Sequence, residues 1–121
     1  PYAKKLQEMG AINVLVSMAG KGAVLIDEHG EVHHSKAPKG TVINSVGAGD
    51  SMVAGFISGY LESNKDYAQA FIKGICCGSA SAFSENLATK KEVEEKANTL
   101  KKDGTTDKRI KDAADKEAKK T

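Results

Sequence analysis

A chain of 121 residues has room for one domain and one hydrophobic core, which excludes two full domains. With 40% apolar and 28% charged residues, a formal net charge of +2, three Phe, three Tyr and no Trp, the composition is that of an ordinary soluble globular chain and gives no footing for a nucleic-acid or anionic-membrane partner. No apolar run approaches the ~20 residues of a membrane span, no secretory signal pattern opens the chain, and the only cysteines, adjacent Cys76 and Cys77, are expected as reduced core residues, so the expected location is cytoplasmic.

In chain order, Tyr2 to Met9 is expected as a short helix closed by Gly10. Ile12 to Met18, rich in Val, Ile and Leu, is expected as a buried strand. Ala23–Ile26 and Glu31–His34, joined by the turn Asp27-Glu28-His29-Gly30, read as a hairpin. Adjacent His33 and His34 point to opposite faces of a strand, so with His29 they read as surface polar residues rather than as metal ligands. Thr41-Val42-Ile43 is expected as a short strand. Val53, Phe56, Ile57, Tyr60 and Leu61 recur at helical spacing as one apolar face, and Tyr67, Phe71 and Ile75 mark a further helix running to about Phe83. Glycines 55, 59, 74 and 78, four residues apart within each helix, imply close helix packing or approach of a ligand.

Charge is uneven. Residues 1–89 hold seven basic and eight acidic residues, whereas residues 90–121 hold eleven and eight. That last stretch begins as a helix on Val93, Ala97 and Leu100, but past Gly104 only Ile110 and scattered alanines are apolar. The expected division is a folded part over 1–93 and a charged helical or mobile tail over 94–121. Lys101 to Thr121 is expected to be dispensable for ligand binding. The overall class is α/β.

The most informative segment is Asn44-Ser45-Val46-Gly47-Ala48-Gly49-Asp50-Ser51, set between a strand and a helix. Helix N-termini carry unpaired N–H groups and a partial positive charge, and Gly47 and Gly49 let that backbone come within reach of phosphate oxygens. A carboxylate at Asp50 repels a phosphate if aimed at it, but takes a proton if aimed at an attacking hydroxyl. Capping of the helix by Asp50 or Ser51 is the equal alternative from spacing alone. No lysine follows Gly49, which excludes a P-loop, and Leu25 stands where a dinucleotide fingerprint opening at Gly20-Lys21-Gly22 needs glycine. Lys21 reads as a surface residue before a phosphate ligand.

Gly47-Ala48-Gly49-Asp50-Ser51-Met52-Val53-Ala54-Gly55-Phe56 resembles the C-terminal signature of the ribokinase-like (PfkB) carbohydrate kinases. Val16-Ser17-Met18-Ala19-Gly20-Lys21-Gly22-Ala23 resembles that family's nucleotide-binding turn, and Gly78-Ser79-Ala80-Ser81-Ala82-Phe83 the helix that flanks the adenine. The implied fold is ribokinase-like α/β, the C-terminal nucleotide-binding portion of a doubly wound α/β/α sandwich. The implied activity is transfer of the ATP γ-phosphoryl group to a phosphorylated ketohexose, with Mg²⁺ accompanying ATP. Fructose 1-phosphate, giving fructose 1,6-bisphosphate, comes before tagatose 6-phosphate; a non-catalytic ATP- or anion-binding module is the alternative.

Carried over residue by residue, the resemblance makes Asp50 the general base and the amides of Gly47, Ala48, Gly49 and Asp50 the anion hole. It gives ATP to Ser17, Met18, Ala19, Gly20, Lys21, Gly22 and Gly49, with Ile75 and Ser79 facing the adenine, and no metal ligand to the chain itself. Partners are the nucleotide and the sugar, with neither nucleic acid nor membrane, and with homo-oligomers allowed. The family usually has glycine where Ala19 stands and often Asp-Thr where Asn44-Ser45 stand, and its Asn-x-x-Glu motif is absent from these residues. The segment is therefore expected to be inactive by itself.

Overall fold

The computed structural model describes residues 2–38 and 40–103, with side chains as far as Asn98. Helix α1 spans Tyr2–Glu8, strand β1 Val14–Ser17, β2 Ala23–Ile26 and β3 Val32–Ser35, with a 3-10 turn at Ala19–Lys21 between the first two strands. Three longer helices follow: α2 Ala48–Glu62, α3 Tyr67–Ala82 and α4 Lys90–Asp103. The expected tail from residue 104 onward, Ile110 included, and the side chain of Leu100 lie outside the described residues.

The strands form a three-stranded antiparallel sheet in the order β1-β2-β3. Leu15 pairs with Leu25, and Leu25 with His33, so this row crosses one face and meets α3, where the His33 and Phe71 ring centroids lie 6.2 Å apart. The buried core joins Leu25 to Phe71, Ile72, Ile75 and Cys76 of α3 and to Val93 and Ala97 of α4. Because Ala97 is fully buried, the packed unit runs past the boundary expected at Val93.

Four expectations are corrected. The strand expected over Ile12–Met18 is shorter, and of its residues only Val14 is buried, because β1 lies at the sheet edge with Val16 on a face left open. Thr41–Ile43 is not a strand: the amides of Ile43 and Asn44 both donate to the carbonyl of Ala82, at 2.9 and 3.0 Å, and close the end of α3 instead of pairing in a ladder. The apolar face expected on α2 is divided. Phe56 and Tyr60 pack on the core, whereas Val53, Ile57 and Leu61 are exposed, Leu61 at 72%.

What α2 buries is its glycine face. A Cβ on Gly55 would stand 2.7 Å from Sγ of Cys77, one on Gly59 2.9 Å from Cα of Ala70, and one on Gly74 3.0 Å from the carbonyl of Met52. The four-residue glycine spacing therefore serves close helix packing, which compensates the poor helix propensity of glycine. Asp66 caps α3 by accepting the amide of Gln69 at 3.2 Å. Thr89 and Glu92 form a reciprocal capping box on α4, Thr89 accepting the Glu92 amide at 3.3 Å and Glu92 that of Thr89 at 3.1 Å.

The fourth correction concerns His33, which is 2% exposed rather than a surface residue; His34 does face solvent. Asp27 Oδ1 accepts the amides of His29 and Glu31, at 2.9 and 3.1 Å, and its Oδ2 lies 2.8 Å from His33 Nε2. The carboxylate can only accept, so Nε2 carries the proton and Nδ1, buried, finds no partner among the described residues. Asp27, Glu31 and His33 stand close enough to share a cation. With its bonds to His29, Glu31 and His33, Asp27 clasps the two ends of the hairpin turn to β3.

Burial raises the Asp27 pKa, but hydrogen bonds from His33 and from the Glu31 and His29 amides outweigh it and hold the carboxyl below its usual range. A depressed folded-state value contributes stability above the unfolded pKa, and that stability is lost as pH falls through the folded value. Asp27→Asn is therefore expected to flatten the acid limb of the melting temperature below about pH 4. Melts of both proteins across the acid range check this, and parallel acid limbs would refute it.

Candidate functional site

A cleft of about 570 Å³ opens where the 3-10 turn, the segment between β3 and α2, the start of α2 and the end of α3 converge. Ser17, Ala19, Gly20 and Gly22 line it from the turn, Ala48, Gly49 and Met52 from α2, and Gly78, Ser79, Ala82 and Phe83 from α3. Ala37, Pro38, Gly40, Val42 and Ser45 complete the wall.

The turn is closed by its own backbone: the Met18 amide donates to the Gly22 carbonyl at 2.8 Å and the Gly22 amide to the Ala19 carbonyl at 3.1 Å. Ala19 adopts a left-handed φ of 50°, so alanine keeps the conformation expected of a glycine there, at a conformational cost. Gly20 has nothing within 4 Å of where a Cβ would lie, which leaves the cleft open to close approach. Gly22 serves another purpose, since its missing side chain makes room for the backbone of Ser35.

At the other end, Gly47 with φ +81° stands immediately before α2, and no side chain caps the helix. The capping alternative for Asp50 and Ser51 is thus not what these residues do. The Ser51 amide makes the first helical bond, to the Gly47 carbonyl at 2.9 Å, and the Ala48 amide is taken by the Ser45 carbonyl at 3.2 Å. Among the described residues, the amides of Gly47, Gly49 and Asp50 have no acceptor, and neither does the exposed Asp50 carboxylate have a donor or cation. Asn44 braces the loop ahead of them, accepting the Val46 amide at 3.0 Å and donating to the Glu85 carbonyl at 3.3 Å.

The structure brings Ser17, Ala19, Gly20, Gly22, Ala48, Gly49 and Ser79 to one cleft, with Gly47 and Asp50 flanking it in sequence; Met18 and Lys21 are not among the lining residues. Ile75 is not brought there. At 2% exposure it packs among Leu25, Phe71 and Ile72, one turn of α3 deeper than Ser79, and this corrects its expected place beside a ligand. Sequence reasoning missed the wall made by Ala37, Pro38, Gly40 and Val42. Its signal was the Pro38 and Gly40 pair between hairpin and loop: a Cβ on Gly40 would stand 2.6 Å from the Phe83 ring, whose centroid lies 4.5 Å from Lys96 Nζ. A largely apolar cleft that ends at open amides and a helix N-terminus can hold a flat ring with an anionic tail.

The pfkB family carbohydrate kinase model matches residues 1–115. The 1-phosphofructokinase of Bacillus subtilis is 50% identical over 95 residues, covering 78% of this chain and 31% of that protein. The D-tagatose-1-phosphate kinase of Bacillus licheniformis is 32% identical over 97 residues, covering 80% of this chain and 31% of that one. The crystal structure of a Staphylococcus aureus protein assigned as a phosphofructokinase superposes with a TM-score of 0.71 at 40% identity, over 78% of this chain and 30% of the other. The chain thus spans about 31% of the length of these curated relatives. Among the described residues, no helix is long and apolar enough to cross a membrane.

Proposed function

This chain belongs to the pfkB family of carbohydrate kinases, and on that premise we propose that it supplies the nucleotide site and the catalytic base of a sugar-phosphate kinase. Its α/β fold is the ribokinase-like one. The favoured reaction is ATP with fructose 1-phosphate, giving ADP and fructose 1,6-bisphosphate, the assignment carried by the Bacillus subtilis relative. A tagatose phosphate is the second substrate reading, favoured by the Bacillus licheniformis kinase.

The observation that carries the mechanism is the pairing, on the first turn of α2, of amides without an acceptor and a carboxylate without a partner among the described residues. The adenine would lie in the apolar part of the cleft, between the Ser17–Gly22 turn and Ser79 near Phe83, with the triphosphate directed at α2. Asp50 would accept the proton of the attacking sugar hydroxyl as its oxygen bonds to the γ-phosphorus. The bond from that phosphorus to the β–γ bridging oxygen breaks, and ADP departs with the electron pair. Amides of Gly47, Gly49 and Asp50 would stabilise charge on the migrating group, in a place where they need no reorganisation. The Ala48 amide, expected in that set, is engaged by Ser45 and joins only if that bond opens. Mg²⁺ enters with ATP as part of the substrate, offsetting the phosphate charge. ATP and two adjacent thiols suit a reducing cytoplasm.

Steady-state assays of the full-length protein with ATP and fructose 1-phosphate, tagatose 1-phosphate or tagatose 6-phosphate test this reading. The highest kcat/KM is expected with fructose 1-phosphate. ATP binding without transfer to any of the three would leave a binding module in place of an enzyme.

A further inference from the structure

A serine pair, Ser81 buried and Ser51 half-buried, fastens α2 to α3 beside the open amides. Ser81 on α3 is 3% exposed; its hydroxyl donates to Oγ of Ser51 at 2.9 Å and accepts the Ala88 amide at 3.2 Å. Ser51 is the fourth residue of α2, on the same turn as Gly49 and Asp50. Around this pair α3 meets α2 through the bare backbone of Gly78, with the Met52 side chain beside it. Gly78 lies against the first turn of α2, where a Cβ would stand 3.1 Å from the Ala48 carbonyl. Surfaces that meet through glycine let helices approach closely but carry few knobs to fix how far one slides along the other. A directional bond between two hydroxyls does fix it.

We propose that Ser81 is a positioning residue for the phosphate-binding turn: through Ser51 it sets the height of the first turn of α2 along α3, and so aims the amides of Gly49 and Asp50 into the cleft. The inference rests on the phosphoryl-transfer reading above. Stability alone does not call for the pair, because replacing both partners of a buried hydrogen bond by apolar groups is often nearly neutral. Ser81 also holds the Ala88 amide, so the loop leading to α4 leans on the same hydroxyl. Ser51→Ala breaks the link to α2 without touching that second bond.

The test is calorimetric titration of ATP and of adenosine onto the full-length protein and its Ser51→Ala, Ser81→Ala, double and Ser51→Thr variants, with melts in parallel. Each alanine variant is expected to weaken ATP binding ~10-fold and to leave adenosine, which has no phosphates, within about twofold. The double variant is expected to be no worse than the weaker single one, because both act through one bond. Ser51→Thr, which keeps the hydroxyl, is expected to hold ATP as the unaltered protein does. Alanine variants that bind ATP normally, or that lose ATP and adenosine in equal measure, would overturn the proposal while the site reading stands. Failure of the unaltered protein to bind ATP would overturn both.

Discussion

Asp50→Asn is expected to lower kcat about 10³-fold in the full-length protein while ATP binds as tightly as before or more so. Asparagine nearly matches aspartate in shape, and the carboxylate it replaces has no hydrogen bond or ion pair among the described residues that the change could break. What it removes is the ability to take a proton. The direction of the binding change separates the two roles this residue type plays at a helix start. A negative charge beside the triphosphate repels it, so neutralising Asp50 relieves that repulsion. A residue whose task was to support the helix would act otherwise: aspartate in the first turn favours the helix dipole, and its loss would lower the melting temperature and ATP affinity together. Steady-state kinetics paired with calorimetric ATP titration distinguish these. Unchanged kcat would remove Asp50 from the chemistry, and a joint fall in kcat and affinity would point to a disturbed anion turn.

Where side-chain periodicity sets the packing, the fold was legible: α1 to Gly10, the hairpin around Asp27–Gly30, and α3 from Tyr67 to Phe83 stand close to their expected places. It was not legible where packing comes from what is missing. Val53, Ile57 and Leu61 form a proper apolar stripe, yet α2 turns Gly55 and Gly59 inward, because bare backbone approaches α3 more closely than branched side chains permit. Strand expectations failed for a different reason. Ile12–Met18 and Thr41–Ile43 are apolar enough to be buried, but composition does not say which neighbours lie alongside, and the amides of Ile43 and Asn44 found the end of α3 instead. For His33, alternation gave the right answer about opposite faces and no answer about which face Phe71 would cover.

The site was legible in the same proportion. Gly47-Ala48-Gly49-Asp50 announces itself because open amides at a helix start demand small residues, a requirement written in local sequence. Ile75 and Ser79 lie one turn apart on α3 and look equivalent by spacing, but only Ser79 clears the core. Depth along a helix depends on the neighbours at each level, which no local pattern records. The wall residues Ala37, Pro38, Gly40 and Val42 follow no regular period, so nothing but Pro38 and Gly40 marked them.

Gly22→Ala is expected to cost about 3–5 kcal/mol of folding stability, from strain and overpacking together. At φ +99° and ψ −143°, Gly22 occupies a region essentially closed to residues with a side chain. A Cβ there would stand 1.9 Å from the Ser35 carbonyl oxygen and 2.8 Å from Cα of Lys36, and backbone atoms cannot rotate aside as the end of a flexible side chain would. Ser35 is held in turn, since it pairs with Ala23, the residue directly after Gly22. Relief must come either from parting β2 and β3 or from pushing the Ser17–Lys21 turn, and the second route closes the cleft. Because net stabilities of single domains run to only about 5–15 kcal/mol, a loss of this size consumes a large part of the total. Gly20→Ala supplies the contrast: nothing lies within 4 Å of its Cβ position, so its stability is expected to change by less than about 1 kcal/mol, with any effect confined to nucleotide affinity. Urea denaturation of both variants, alongside ATP titration, decides between packing and ligand approach as the reason for glycine at position 22. If Gly22→Ala unfolds at the same urea concentration as the unaltered protein and loses only ATP, then that residue serves the ligand and the contact with Ser35 is not what requires it.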